Sequence, residues 1–207
     1  MCVCVFAGVM MHFSSTFLRI THVCRVPVFF ACLLLHSLYN VPIFRAPNGK
    51  EVVFDIVFGP AYKGIPLAAV VCAALFQDFG VDAGFAYNRK EAKNHGEGGM
   101  LVGAALKGKR VLIVDDVITA GTAFRESMEL LTAVEAKAVG VVIALDRAEK
   151  RSLEDPISAV QAVTRDFAIP VVSIINLPQL QTYLEFNPSI GEDFLANVSA
   201  YRLEYGV

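Results

Sequence analysis

The sequence lacks acidic residues over its first 45 positions, whereas the 162 that follow carry 20 Asp and Glu against 15 Lys and Arg. The longest uncharged apolar run, residues 26–35, is about half of the roughly 20 residues that cross a bilayer, which argues against a stable membrane span. No basic flank opens the segment, as a secretory signal would require. We therefore expect residues 1–45 to be an atypical apolar segment from a wrongly assigned start or splice junction, with an organellar presequence as the alternative. Residues 46–207 are expected to form the working domain.

Cysteine is scarce after that segment, where Cys72 stands alone in an apolar run. The other four cysteines match no zinc-binding spacing, and an odd total of five does not suggest a disulfide framework. These features predict a reducing, cytoplasmic location. A net charge of -2 and the lack of a basic run argue against a nucleic-acid partner.

From Glu51 onward, apolar strand-like runs alternate with helical stretches. This alternation predicts an α/β domain with a mostly parallel central sheet flanked by helices. Strands are predicted at residues 52–58, 83–87, 100–105, 110–114, 139–145 and 170–175, and helices at 65–79, 123–137, 153–167, 177–185 and 190–205. Ligands of such sheets bind beyond the carboxyl ends of the strands. The chemistry is therefore expected just after Phe58, Tyr87, Val114 and Leu145.

A phosphate site is predicted after the strand at residues 110–114. Two adjacent carboxylates, Asp115 and Asp116, end this strand, and a loop of small residues leads directly into a helix. Gly121 lets the backbone approach an anion, Thr119 and Thr122 supply hydroxyl donors, and the helix N-terminus presents free N–H groups. Because carboxylates repel phosphate, the acid pair is expected to bind sugar hydroxyls or to lie near Mg²⁺. The alternative is a strand-terminal cap followed by an ordinary turn.

The run from residue 111 to 123 resembles the phosphoribosyl pyrophosphate (PRPP) signature of the type I phosphoribosyltransferases. The resemblance implies that family's fold for residues 46–207. It also implies that the acid pair binds the ribose hydroxyls and that the loop holds the 5′-phosphate. The implied PRPP-binding residues are Asp115, Asp116, Val117, Ile118, Thr119, Ala120, Gly121, Thr122 and Ala123.

Two further polar segments resemble loops of the orotate phosphoribosyltransferases. Residues 58–67 resemble the pyrophosphate loop, in which Tyr62 and Lys63 would meet PRPP; an exposed surface lysine is the alternative for Lys63. Residues 87–99 resemble the catalytic loop, which in that family closes over pyrophosphate and reaches the neighbouring subunit's site. Its candidate PRPP-binding cations are Arg89, Lys90, Lys93 and His95; a solvated loop is the alternative.

The resemblance implies a homodimer in which the 88–99 loop crosses to the partner. It assigns catalytic roles to Lys93, His95, Asp115 and Asp116. Whether His95 contacts phosphate or transfers a proton stays open.

Arg147 is the candidate for base recognition. A planar guanidinium at a strand end can bind a carboxylate with two hydrogen bonds. In the resembling enzymes this position and that of Thr119 contact orotate, although Arg147 could instead pair with Asp146 or Glu149.

The resemblance runs from about residue 53 to the C-terminus. It implies an enzyme that converts orotate and PRPP into orotidine 5′-phosphate and pyrophosphate in de novo UMP synthesis. Mg²⁺ would be held mainly through PRPP, with no direct protein ligand. The N-terminal hood of that family is atypical or missing here, because no lysine precedes Lys50. A non-catalytic PRPP-binding protein or an inactive, hood-deficient relative is the alternative.

Overall fold

The computed structural model describes residues 44–45, 51–91, 99–118, 122–150, 156–186 and 192–207. Apart from residues 44–45, the N-terminal segment 1–45 of our prediction lies outside this part of the chain. Strand β1 (Phe44–Arg45) pairs antiparallel with β2 (Glu51–Val52). Among the described helices, none has the length and apolar character needed to cross a membrane.

The six-stranded sheet confirms the predicted α/β architecture. Its strands are β3 (Ile56–Gly59), β4 (Gly84–Asn88), β5 (Leu101–Gly103), β6 (Arg110–Asp115), β7 (Lys137–Asp146) and β8 (Val171–Asn176). They lie in the order β5-β4-β3-β6-β7-β8. Every pairing is parallel except that of β5 with β4, so β5 is an antiparallel edge strand. The central strand β6 is apolar at successive positions because both faces of a parallel sheet are covered.

Helices cover both faces of this sheet. They are α1 (Gly64–Phe79), α2 (Thr122–Ala133), α3 (Ala159–Phe167), α4 (Leu177–Glu185) and α5 (Glu192–Tyr205). Alternate residues of one strand point to opposite faces. Val111 and Ile113 therefore pack with Phe124 and Leu131 of α2, whereas Leu112 and Val114 pack on the other face with α1.

Three predicted elements differ from the structure by more than two residues. The strand predicted over residues 52–58 is divided into β2 and β3, which belong to different sheets, and the Asp55 carboxylate between them accepts hydrogen bonds from the guanidinium of Arg110. Helix α2 ends at Ala133 instead of residue 137, and Glu135 follows with φ of 59°. Helix α3 begins at Ala159 instead of residue 153, because the Ser158 side chain accepts a hydrogen bond from the Gln161 amide and caps the helix.

Candidate active site

The carboxyl ends of four neighbouring strands form one edge of the sheet, as predicted. β4, β3, β6 and β7 are adjacent and parallel, and they end at Asn88, Gly59, Asp115 and Asp146. Each strand ends one residue after the position that the sequence indicated. The polar segments of the sequence are thereby brought together at a single edge.

The loop between β3 and α1 packs tightly against the central strand. A Cβ added to Gly64 would lie 2.9 Å from the backbone oxygen of Val114, and one added to Gly59 would lie 2.2 Å from that of Gly64. Such distances exclude any larger side chain without movement of the backbone. The glycines therefore permit the loop to pass directly over the end of β6.

Asn88 fixes this loop from the neighbouring strand. Its side chain is 7% exposed, and its Oδ1 accepts a hydrogen bond of 2.9 Å from the Ala61 backbone amide. Its Nδ2 donates to the Arg89 carbonyl at 3.4 Å. A buried amide that bridges two loops in this way holds the segment preceding Lys63 against the end of β4.

Lys63 joins the loop to the acid pair. Its Nζ lies 2.7 Å from Oδ2 of Asp116, and the two side chains are 76% and 31% exposed. The hydrogen bond that Lys63 donates to Asp116, followed by the charge of that carboxylate, raises the pKa of Lys63. The backbone oxygen of Asp116 accepts from the amides of Ala144 and Leu145, both at 3.0 Å, which ties the acid pair to β7.

Asp115 is the more buried member of the pair. Burial, together with the neighbouring charge of Asp116, raises its pKa to about 6, although a hydrogen bond of 2.8 Å from the Asp116 amide opposes that rise. A carboxylate that ionises with difficulty at the end of a core strand is a feature of functional sites. The positive charge of Lys63 lies close by and favours the ionised form of Asp115.

The cationic segment after β4 is described in part. Lys90 is exposed, and its Nζ lies 3.9 Å from Oε2 of Glu126 on α2, so that it reaches the helix that follows the phosphate loop. The backbone amide of Arg89 donates to the Met100 carbonyl at 2.7 Å. The predicted site residues Lys93 and His95 lie outside the described residues.

The predicted phosphate loop is also described in part. Val117 and Ile118 follow the acid pair, and the Val117 amide donates to Oδ1 of Asp116 at 2.9 Å. Helix α2 begins at Thr122, followed by Ala123. The predicted residues Thr119, Ala120 and Gly121 lie outside the described residues. The N-terminus of α2 therefore lies six positions after Asp116 along the chain, and the anion site stays a prediction.

Arg147 follows β7, on the far side of the acid pair from Lys63. Its Nη1 lies 3.0 Å from Oε1 of Glu149, and the side chains are 31% and 22% exposed. Nε of Arg147 is buried and has no acceptor among the described residues. The pairing with Glu149, which the sequence left open, is therefore present, and it engages one nitrogen of the guanidinium.

Three side chains at this edge were not predicted as parts of the site. Asn88 could have been found, because a polar residue that ends an apolar strand at the carboxyl edge follows the rule used for the other positions. Glu149 was considered only as a competitor for Arg147. Tyr201, whose hydroxyl donates to Glu149, is 52 residues away along the chain and had no local signal.

Comparisons with known proteins match this arrangement. A family described as "Phosphoribosyl transferase domain" matches residues 43–171. The chain is 58% identical over 175 residues to an orotate phosphoribosyltransferase of Marinobacter nauticus, which covers 84% of this chain and 78% of that protein. It is 54% identical over 158 residues to one of Pseudomonas putida, with coverages of 76% and 72%. A crystal structure of orotate phosphoribosyltransferase from Francisella tularensis superposes with a TM-score of 0.72 at 35% identity, covering 90% of this chain and 83% of that one.

Proposed function

The chain belongs to the orotate phosphoribosyltransferase family, and we propose that it transfers the phosphoribosyl group of PRPP to orotate, giving orotidine 5′-phosphate and pyrophosphate. Its relatives favour this reaction over a non-catalytic PRPP-binding protein or an inactive relative. The observation that carries the proposal is the 2.7 Å contact between Lys63 and Asp116, which lie 53 residues apart. It places the residue suited to pyrophosphate beside the residue suited to ribose.

The first task of the site is to bind PRPP. Asp115 and Asp116 would accept hydrogen bonds from the ribose hydroxyls, and the segment from Thr119 to Ala123 would hold the 5′-phosphate. Lys63 would then exchange its contact with Asp116 for one with the pyrophosphate. The exchange should cost little free energy, because Lys63 is exposed and exposed ion pairs stabilise a fold only weakly.

The second task is the displacement itself. The bond between the anomeric carbon and pyrophosphate breaks, pyrophosphate leaves with the electron pair, and the ring nitrogen of orotate bonds to the same carbon after losing its proton. Lys63, Arg89, Lys90 and Lys93 would stabilise the charge that develops on the leaving group. His95 would either contact that phosphate or transfer a proton to it.

Arg147 would fix orotate through its carboxylate, with Thr119 as a second contact. The guanidinium suits this role because it binds carboxylates through parallel hydrogen bonds. It follows β7, which pairs directly with the strand that carries the acid pair. Base and sugar sites are therefore neighbours, as a displacement at the anomeric carbon requires.

Mg²⁺ is the proposed cofactor, held mainly through the phosphates of PRPP. The carboxylates of Asp115 and Asp116, at the end of β6, would lie near the ion. Mg²⁺ takes few protein carboxylates when substrate phosphates supply oxygens. When bound, the ion would neutralise charge on the pyrophosphate.

We also propose a homodimer in the cytoplasm, in which the 88–99 loop reaches the partner's site. The relatives' family and the cationic loop support the first proposal, and the cysteine usage supports the second. Sedimentation of the purified chain measures its oligomeric state. Mixing Lys93→Ala and Asp115→Asn chains would restore activity only if the loop acts across the interface.

The experiment that tests the function compares Lys63→Ala with Lys107→Ala in an assay of orotidine 5′-phosphate formation. The two lysines form a matched pair, because they are 76% and 75% exposed and each contacts one carboxylate. We expect Lys63→Ala to reduce kcat/KM for PRPP at least about tenfold, since a contact with a charged group is lost. Lys107→Ala should leave it unchanged. A wild-type chain that forms no product, or equal effects of the two substitutions, would contradict the proposal.

A further inference from the structure

Arg147 is held in a turn built from its own neighbours. Oδ1 of Asp146 accepts a hydrogen bond of 2.9 Å from the Ala148 amide, and Ala148 has φ of 50°. This Asx-type turn directs the chain away from β7 immediately before Glu149. It fixes the backbone of Arg147 but leaves its long side chain to be ordered by other groups.

Glu149 orders that side chain. Its Oε1 lies 3.0 Å from Nη1 of Arg147, and the same oxygen accepts a hydrogen bond from the Tyr201 hydroxyl on α5. One carboxylate oxygen therefore joins the guanidinium to the C-terminal helix. The hydroxyl also offsets part of the negative charge that would otherwise oppose a second carboxylate at Arg147.

The backbone strengthens this connection. The amide of Val207 donates to the carbonyl of Ala148, and that of Lys150 donates to the carbonyl of Tyr205, both at 2.9 Å. Glu149 and Gly206 form an antiparallel bridge between these bonds. The last residues of the chain therefore pair with the segment that follows Arg147.

Helix α5 is in turn anchored to α4. Arg202 donates to Oε1 of Gln181, whose Nε2 lies 3.4 Å from the Ser199 hydroxyl. The ring of Tyr201 also contacts that of Tyr205, with centroids 4.9 Å apart. Tyr201 is therefore presented to Glu149 from a helix whose position is fixed by other contacts.

We propose that Glu149 and Tyr201 are positioning residues for orotate, acting through the guanidinium of Arg147. This inference rests on the proposed function, and in particular on Arg147 as the orotate contact. A side chain that is already ordered loses less freedom when its ligand binds, so that the affinity for that ligand rises. Nη1 of Arg147 pairs with Glu149, whereas the buried Nε of Arg147 has no acceptor among the described residues. The ion pair thus fixes the guanidinium without engaging all of its donors.

The test replaces the hydroxyl alone. Tyr201→Phe should raise KM for orotate about fivefold, which is less than the roughly tenfold or more expected for a direct hydrogen bond to a charged group, because the hydroxyl acts through Glu149 and Arg147. The KM for PRPP and the kcat at saturating substrates should change less than twofold. Tyr205→Phe is the matched control, because this tyrosine lies on the same helix and Glu204, rather than Glu149, raises the pKa of its hydroxyl.

A second series of variants changes the carboxylate of Glu149. Glu149→Gln keeps an oxygen that can accept from Tyr201, so its KM for orotate should rise less than that of Glu149→Ala. Adding Tyr201→Phe to Glu149→Ala should have no further effect, because the hydroxyl acts only through the carboxylate. Additive effects, a silent Tyr201→Phe, or equal rises of both KM values with a lower Tm would overturn the proposal.

Arg147→Ala, measured beside these variants, distinguishes the role of Arg147 as the orotate contact from the positioning role of Glu149 and Tyr201. A large rise in KM for orotate with a silent Tyr201→Phe would leave Arg147 as the orotate contact and overturn the positioning role alone. An unchanged KM for orotate in Arg147→Ala would remove Arg147 from the orotate site and overturn both.

Discussion

Replacing Asp115 by asparagine should make the protein more stable and inactive at the same time. The substitution keeps the shape of the side chain, and Oδ1 of asparagine can still accept from the Asp116 amide. What it removes is a charge that burial and the neighbouring Asp116 disfavour, because together they raise the pKa of Asp115 to about 6. A residue retained for stability would not be expected in such surroundings.

The magnitude follows from the two pKa values. The ordinary pKa of the side chain is 3.8, and the value in the folded chain is about 6. Each pH unit of difference corresponds to about 1.4 kcal/mol, which gives an upper bound of about 3 kcal/mol. Since the amide must also be desolvated and Asp116 keeps its own charge, we expect a gain of about 1–2 kcal/mol in the free energy of unfolding.

The sign of the pH dependence is specific. With a folded pKa above the unfolded one, the contribution of Asp115 to stability is fully present below pH 3.8 and is lost as the pH rises through about 6. Wild type and Asp115→Asn should therefore be almost equally stable near pH 4 and diverge as the pH rises from about 4 to 6, and above that range the variant should stay more stable by a constant amount.

Urea unfolding of the substrate-free protein between pH 4 and 8, paired with a turnover assay, measures both effects. Turnover should fall about 100-fold or more, because the charged acceptor for the ribose hydroxyls is lost. Asp116→Asn is the comparison: it breaks an exposed ion pair and should change stability by less than about 1 kcal/mol. A variant that is less stable at pH 7.5 would show that Asp115 is a strand-terminal cap, and the reasoning would be refuted.

Two further predictions concern the support of the site. Asn88→Ala should lower the free energy of unfolding by about 1–3 kcal/mol, because the buried Ala61 amide loses its acceptor. It should also raise KM for PRPP more than KM for orotate, and equal rises in steady-state kinetics would contradict a role in placing the Lys63 loop. At the opposite edge, the hydrogen bond from Arg110 holds the pKa of Asp55 well below its usual range, so its stabilisation is present above about pH 4 and is lost as the pH falls towards the folded pKa. Below about pH 4, the free energy of unfolding in urea should therefore fall less steeply with falling pH in Asp55→Asn than in wild type. The control Asp78→Asn, at an exposed position, should give the same pH dependence as wild type. Coincident curves for all three proteins would disprove this.

The fold was predictable because its main signal is local. Strands β3, β6, β7 and β8 are rich in β-branched residues, and α2 carries an apolar face that includes Phe124 and Leu131. The ends of the elements were less predictable, because an apolar residue just beyond a helix can keep the helical spacing and still pack against the same core. Val134 continues the apolar spacing of α2 and packs against the same core, yet it lies beyond the helix end at Ala133.

One boundary error was avoidable. The start of α3 is marked by Ser158 and Gln161, whose side chains and amides bond reciprocally in a capping box. This pair of residues at a spacing of three is a sequence signature of a helix N-terminus. The division of the first predicted strand could not be foreseen in the same way, since it depends on pairing with other strands: β2 pairs with β1, whereas β3 pairs with β4 and β6.

The site shows the same contrast between local and distant information. Lys63 and the acid pair were each predicted as site residues from a local motif, because strand, loop and helix follow one another within a single segment. Their contact in space followed from the parallel sheet alone, since β3 and β6 are paired and end at one edge. The environment of Arg147 has no such rule. Arg147 contacts Glu149, and Glu149 accepts a hydrogen bond from Tyr201. The contact between Glu149 and Tyr201 depends on how α5 packs on α4 and on the pairing of the last residues with the turn at Ala148. A sequence therefore indicates which residues can bind a ligand more readily than it indicates which residues hold them in place.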